Sequence, residues 1–135
     1  MKPAIQIASI YTMLLGLFFL IEGIWGLFSA TVFGALTTNT IHAAIHIILG
    51  ITGIWVGAAE RPRRFCIFTG ALLLVVGIVR FIPGPDQIVV DLLRVNYIVA
   101  IVNMIIGILC MVMAVITRPT RIRNERNSFK ATNLP

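Results

Sequence analysis

Two histidines one helical turn apart are the residues whose types and spacing point most directly to chemistry. His42 and His46 lie in a run, residues 39–57, that contains no Asp, Glu, Lys, Arg or Pro. Side chains four positions apart lie on the same face of an α-helix, so both imidazoles would project from one side. Helical zinc sites use this spacing. The same face continues along the run through Gly50, Gly53 and Gly57.

The simplest interpretation of these histidines is hydrogen bonding that ties membrane helices together. An ionisable side chain in hydrocarbon costs roughly 2.5–3.5 kcal/mol, so each one needs a partner or a use. At about 1.5 Å per residue from the predicted outer helix ends, Glu22, His46 and Asn103 lie at a similar depth of about 9–10 Å. His42 is shallower, and Arg80 lies within a turn of the surface. We therefore predict that these five side chains meet in one outer cavity.

Ligand binding by the histidines is the alternative. His42 and His46, with Glu22 as a third ligand, would hold a divalent metal ion. One buried histidine would instead ligate the metal centre of haem or chlorophyll. Both histidines project from one side of one helix, and the chain has only these two, so a bis-histidine haem would need a second chain. A relay of ions or protons is a third possibility. Absence of any cofactor is the simplest single expectation.

The composition identifies the elements that must position these residues. Of the 135 residues, 59% are hydrophobic and only 12% are charged, against about 25% charged in soluble domains. Four long apolar runs predict an all-α integral membrane four-helix bundle. We place the helices at residues 4–28, 39–59, 65–82 and 95–117 of one transmembrane domain, residues 1–117. A basic cytoplasmic tail, residues 118–135, follows.

The distribution of charge predicts the orientation. All Lys and Arg residues except Arg80 and Arg94 fall on one side of the predicted membrane. Because basic residues concentrate on the cytoplasmic side, both termini should be cytoplasmic, in a bacterial inner membrane. The net charge of +6 is then a topology signal and a source of contacts with lipid headgroups, not a sign of nucleic-acid binding. Cys66 and Cys110, which lie inside apolar runs, should be buried free thiols.

The connections contain the strongest turn signals. The linker at residues 29–38 is uncharged and leads to Asn39, and Asn39 and Asn96 are the predicted N-caps of the second and fourth helices. Pro62 should end any helix in the charged turn at residues 60–64. Residues 83–94 read as a loop, because Pro83, Gly84 and Pro85 occur together. Two acidic residues of this loop are candidate partners for Arg80, namely Asp86 and Asp91.

An internal repeat relates the second and fourth helices. Residues 39–50 align with residues 96–107, and this alignment pairs Asn39 with Asn96, His46 with Asn103, and Gly50 with Gly107. Both segments would cross the membrane in the same direction. The pattern predicts two parallel-repeat helical hairpins related by an axis along the membrane normal. The small-residue faces of helices two and four should turn inward, so that the two hairpins bury these faces against one another.

One further motif has the spacing L-x-x-N-x-x-H-x-x-x-H-x-x-x-G and is formed by Leu36, Asn39, His42, His46 and Gly50. It resembles the uncharacterised bacterial four-helix membrane family catalogued as domain of unknown function 4383. The resemblance covers most of the chain and implies the same four-span fold but no activity. In that family the second copy bears an acidic residue and a histidine where this chain has Val99 and Asn103. A metal site shared between the two copies would therefore be half missing here.

The predicted function follows from what the chain lacks as well as from what it contains. The sequence has no nucleophile and base pair, no carboxylate dyad and no nucleotide loop. We expect a small non-enzymatic accessory subunit that contacts the lipid bilayer and other membrane subunits, within a respiratory or photosynthetic complex. The rival prediction is a cofactor-binding membrane protein that uses His42 or His46 as a ligand to a tetrapyrrole or a divalent metal.

Overall fold

Long apolar helices dominate the structure, a computed structural model that describes residues 3–117 of the 135. The elements are α1 (Pro3–Phe28), β1 (Thr31–Val32), β2 (Leu36–Thr37), α2 (Thr40–Ala58), α3 (Pro62–Val79), α4 (Asp86–Leu93) and α5 (Tyr97–Ile116). Helices α1, α2, α3 and α5 are long and apolar enough to cross a membrane. The all-helical class and the four spans are thus as predicted. The predicted tail lies outside the described residues.

The connections differ from the prediction in three places. Pro62 begins α3 instead of ending a helix, because the first helical position needs no backbone N–H. Residues 31–37 form a short antiparallel hairpin. Residues 86–93, predicted as a loop, form α4, in which Val89 and Leu93 are buried on one face. The spacing of four between these two apolar residues outweighs the helix breakers that precede them.

Glycines bring the helices together in two pairs, α1 with α2 and α3 with α5. A Cβ atom added to Gly16 would lie 2.6 Å from the backbone nitrogen of Ile54, and one added to Gly50 would lie 2.7 Å from that of Leu20. In the second pair, a Cβ on Gly70 would lie 3.0 Å from the carbonyl oxygen of Gly107. Only hydrogen fits at such backbone contacts, so the glycine face predicted for α2 packs against α1.

Two apolar clusters join the helix pairs. The first lies within the membrane-length helices and comprises Leu15, Phe19, Leu49, Phe65, Cys66, Leu73, Cys110 and Ala114. Its thiols are free and buried, as predicted, and they lie 3.5 Å from hydroxyls of α1, Thr12 for Cys66 and Tyr11 for Cys110. The second cluster joins the β-hairpin, α4 and the start of α5, through Val32, Leu36, Val89, Leu93, Val95, Val99 and Ala100. Together the β-hairpin and α4 form an apolar cap over this end of the bundle.

Candidate functional site: a buried carboxylate and histidine pair

The two asparagines that begin α2 and α5 act as N-caps, as predicted. The side-chain oxygen of Asn39 accepts a hydrogen bond from the backbone N–H of His42 at 2.9 Å. The side-chain oxygen of Asn96 accepts one from the N–H of Val99 at 2.8 Å. Each side-chain amide also donates a hydrogen bond to the apolar cap. Asn39 donates to the carbonyl of Leu92 and Asn96 to the carbonyl of Ala35, both at 2.8 Å. The two N-cap asparagines therefore determine where α2 and α5 begin and connect both helices to the apolar cap.

Four successive backbone carbonyls at the end of α4 accept side-chain hydrogen bonds. They belong to residues 92–95, and their donors, in order, are Asn39 Nδ2, His42 Nδ1, Thr37 Oγ1 and Arg80 Nε. The last carbonyls of a helix lack partners within it. Arg94, with φ 52°, ends α4 in the left-handed conformation. The end of this short helix thus positions His42.

Glu22, His46 and His42 form a buried row that we call the polar row. Nδ1 of His46 lies 3.2 Å from Oε2 of Glu22, which reaches it from α1. Nδ1 of His42 donates to the carbonyl oxygen of Leu93 at 2.9 Å. The two imidazole rings meet edge to face, with centroids 4.4 Å apart. All three side chains are buried, and the ring of Phe19 packs against His46 with centroids 4.9 Å apart.

The histidines line a small space between the two helix pairs, which we call the histidine cavity. Its volume is about 40 Å³. Its walls are His42, Ile45, His46, Leu49, Leu72, Leu73, Val76, Leu93 and Asn103. A water molecule needs about 10–15 Å³ of such volume, so the cavity has room for a few water molecules or a single small ion. Pockets for drug-sized ligands have volumes of about 300–1,000 Å³, so a single small ion matches the volume of this cavity better than a tetrapyrrole does.

The structure brings together only some of the predicted site residues. Asn103 and both histidines line the histidine cavity, and Glu22 contacts His46 from α1 without lining the cavity. Among residues 3–117, no three His, Cys, Asp or Glu side chains are grouped so that they could hold a metal ion. The predicted ligand set of both histidines and Glu22 stays a prediction, and the carboxylate of Glu22 faces Nδ1 of His46.

Arg80 lies apart from the polar row, so the predicted meeting of five side chains in one cavity is wrong. It ends α3, where Nε donates to the carbonyl of Val95 at 2.9 Å and a terminal nitrogen pairs with Asp86 at 3.2 Å. Its guanidinium carbon lies 4.0 Å from the ring centroid of Tyr97. These partners lie in α4, in α5 and in the connection between them. Pairing with Asp86 was one of the predicted alternatives.

One component of the site, the carbonyl of Leu93, has no direct signal in the sequence. A backbone acceptor carries no residue signature, and the four-residue spacing of Val89 and Leu93 was the only signal of the helix that presents it. Comparisons with protein-family models, curated proteins and solved structures find no match to this chain. The resemblance to domain of unknown function 4383 thus stays a prediction.

Proposed function

We propose that the chain is a small non-enzymatic accessory subunit that packs against other proteins within the membrane. The observation that carries this proposal is an open, shallow apolar groove on the outer face of α3, formed by side chains of that helix. Its walls are Arg64, Ile67, Phe68, Ala71, Leu72 and Val75. The exposed small side chain of Ala71 lies among these larger ones, and small residues are where membrane helices approach each other closely.

The inward placement of the polar groups supports the non-enzymatic part of the proposal. The polar row is buried, and the cavity beside it is about 40 Å³ in volume. Most substrates exceed that volume. By contrast, large apolar side chains cover the outer faces of the spans, including Ile48 and Phe68, both 64% exposed, and Trp55, 71% exposed. A partner in the membrane would meet these faces first.

We further propose that the bundle is a duplicated hairpin, in a bacterial inner membrane with both termini cytoplasmic. Asn39 and Asn96 make the same cap at the start of α2 and of α5. The aligned residues His46 and Asn103 both line the histidine cavity. These equivalent positions support a parallel repeat, and the cytoplasmic placement of the termini follows from the distribution of basic residues.

Native mass spectrometry from membrane vesicles tests the subunit proposal. We expect the chain to appear in a fixed ratio with a second, different membrane protein. Ala71→Phe would fill the groove on α3 and release the chain from this assembly. Ala44→Phe is a matched control, because Ala44 is also exposed but lies on α2. A chain that is released by neither substitution, or that occurs alone in its native membrane, contradicts the proposal.

Cofactor binding at His42 and His46 is a second candidate function, and one observation favours it. Both rings line the same cavity, and Nδ1 of each ring is held by an oxygen atom. The volume of the cavity favours a single ion over haem or chlorophyll. Absorption spectra of the purified chain test this preference, since we expect no Soret band. A Soret band that is lost in His46→Ala would favour a tetrapyrrole instead.

A further inference from the structure

We propose that the histidine cavity binds one divalent transition-metal ion, with Nε2 of His42, Nε2 of His46 and the side-chain oxygen of Asn103 as its ligands. This proposal deepens the second candidate function and rests on it, and it is independent of the subunit proposal. It differs from the ligand set predicted from the sequence, because Glu22 orients His46 and is not itself a ligand.

The hydrogen bonds of the two imidazole rings determine which ring nitrogen can bind a metal ion. In neutral imidazole one nitrogen donates a hydrogen bond and the other accepts one. Nδ1 of His42 donates to the carbonyl of Leu93, and Nδ1 of His46 faces the carboxylate of Glu22. Nε2 of each ring therefore carries the lone pair. Histidines that ligate metals commonly donate their other N–H to a carboxylate or a backbone carbonyl, and this site has one of each.

The distance between the two imidazole rings is close to the distance that a shared metal ion requires. With Zn–N distances of about 2.0–2.1 Å, two imidazoles on one tetrahedral zinc ion place their ring centroids roughly 5 Å apart. The centroids of His42 and His46 are 4.4 Å apart and the rings meet edge to face, so both rings are near enough to share one ion once they turn toward it. Asn103 reaches the same cavity from α5 and supplies an oxygen atom. Water completes the coordination, because the cavity exceeds the volume of one ion.

Negative charge beside both histidines would stabilise a bound cation. A divalent cation in a low-dielectric interior needs compensating negative charge. The carboxylate of Glu22 provides it behind His46, with a side chain that is only 6% exposed. The carbonyl end of α4 provides more beside His42, since a helix carries partial negative charge at its C-terminus. Both histidines are thus held by groups that favour a cation.

The ligand types select the class of metal. Imidazole suits zinc, copper, nickel and iron, whereas magnesium and calcium prefer sites built of oxygen atoms. The chain contains only two histidines, so a histidine-bound metal must use this site. The two thiols are the competing soft ligands, but neither lines the histidine cavity and both contact hydroxyls of α1.

Zinc titration of the purified chain, without a histidine tag, tests the proposal. We expect one zinc ion per chain and a cobalt complex with the visible absorption of a tetrahedral site. His42→Gln or His46→Gln should weaken zinc binding by more than about 100-fold, and Glu22→Gln by about 10–100-fold. Asn103→Asp should strengthen zinc binding, because a carboxylate is a better zinc ligand than an amide. A purely structural role for Asn103 predicts no such gain.

Nitrogen NMR of ¹⁵N-histidine supplies a second readout. Zinc should shift the Nε2 signals of both rings and leave Nδ1 protonated. The Cys66→Ser, Cys110→Ser double variant is the control and should bind zinc as the native chain does. Retention of zinc after loss of both histidines, or coordination through Nδ1, overturns the ligand set. A folded native chain that takes up no zinc or cobalt overturns metal binding altogether.

Discussion

At the scale of single residues, the free energy that the contact between Glu22 and His46 contributes differs from the free energy lost when one partner is removed. A hydrogen bond between membrane helices contributes only about 0.6 kcal/mol on average. A buried polar group left without its partner costs more, about 1–3 kcal/mol. With side chains that are 6% and 4% exposed, neither Glu22 nor His46 has water as a ready substitute. Removal of one partner should therefore cost more than the contact itself contributes.

A double-mutant cycle measures this difference. We expect Glu22→Leu and His46→Leu each to lower the free energy of unfolding by about 1–3 kcal/mol. The double variant should be more stable than the sum of the two single losses implies, because neither polar group is then left unpaired. Unfolding of the purified chain in mixed micelles gives the three values. Strict additivity would show that the two side chains are not coupled.

Depth along the helices was enough to predict that Glu22 and His46 share a level, and the structure places them in contact. Depth could not exclude Arg80 from the same cavity, since it does not say which side of the bundle a residue faces. It also could not supply the partner of His42, which is a backbone carbonyl at the end of α4. That contact depends on where a neighbouring element stops.

At the scale of elements, the end of α4 depends on an unusual backbone conformation. Arg94 adopts φ 52°, a left-handed conformation that costs a residue with a side chain about 1–2 kcal/mol relative to a right-handed one. This conformation ends the helix, and the carbonyls of Leu92 and Leu93 bind Asn39 and His42. The position of the polar row is thus coupled to this one residue.

Substitution of Arg94 tests the role of the helix end. Arg94→Gly should raise the free energy of unfolding by about 0.5–1 kcal/mol, since glycine adopts this conformation without strain. Arg94→Val should lower it, because a β-branched side chain disfavours positive φ. Chemical denaturation of all three chains provides the comparison. A stabilising valine would show that the conformation of residue 94 does not limit stability.

The glycines between helices differ in how tightly they are enclosed. A Cβ at Gly50 would meet backbone atoms of α1, 2.7 Å from the nitrogen of Leu20. A Cβ at Gly107 would come closest to a side-chain atom, Cγ of Leu74, also at 2.7 Å. A side chain can rotate away, whereas the backbone of a packed helix cannot.

This difference predicts unequal effects of the same substitution. Gly50→Ala should destabilise the chain by about 1–3 kcal/mol, the usual range for overpacking, and Gly107→Ala by less. Thermal unfolding in detergent, followed by helical circular dichroism, measures both. Equal losses would indicate that α1 and α2 separate as readily as the side chain of Leu74 moves.

At the scale of the whole molecule, apolar run length was sufficient to predict four spans, because a membrane leaves few alternatives for such a chain. Boundaries were less accurate where turn residues and apolar spacing disagreed, as in α4. Which helices pair was a different problem. The glycine faces of α2 and α5 were predicted to bury against one another, and this is wrong: Gly50 and Gly57 of α2 contact α1, and Gly107 of α5 contacts α3. The histidines at the other end of the same face instead line the space toward α3 and α5.

The distribution of basic residues predicts the orientation of the chain in the membrane. Nine basic residues fall on the proposed cytoplasmic side and two, Arg80 and Arg94, on the proposed outer side, so the count of basic residues favours cytoplasmic termini. Two exposed positions at opposite ends of the bundle, Glu60 and Gln87, allow a direct test in a chain whose native cysteines are serine. In intact cells an impermeant maleimide should label Gln87→Cys, and it should label Glu60→Cys only after the membrane is permeabilised. The reverse pattern would place both ends of the chain outside and would require that the tail's basic residues crossed the membrane.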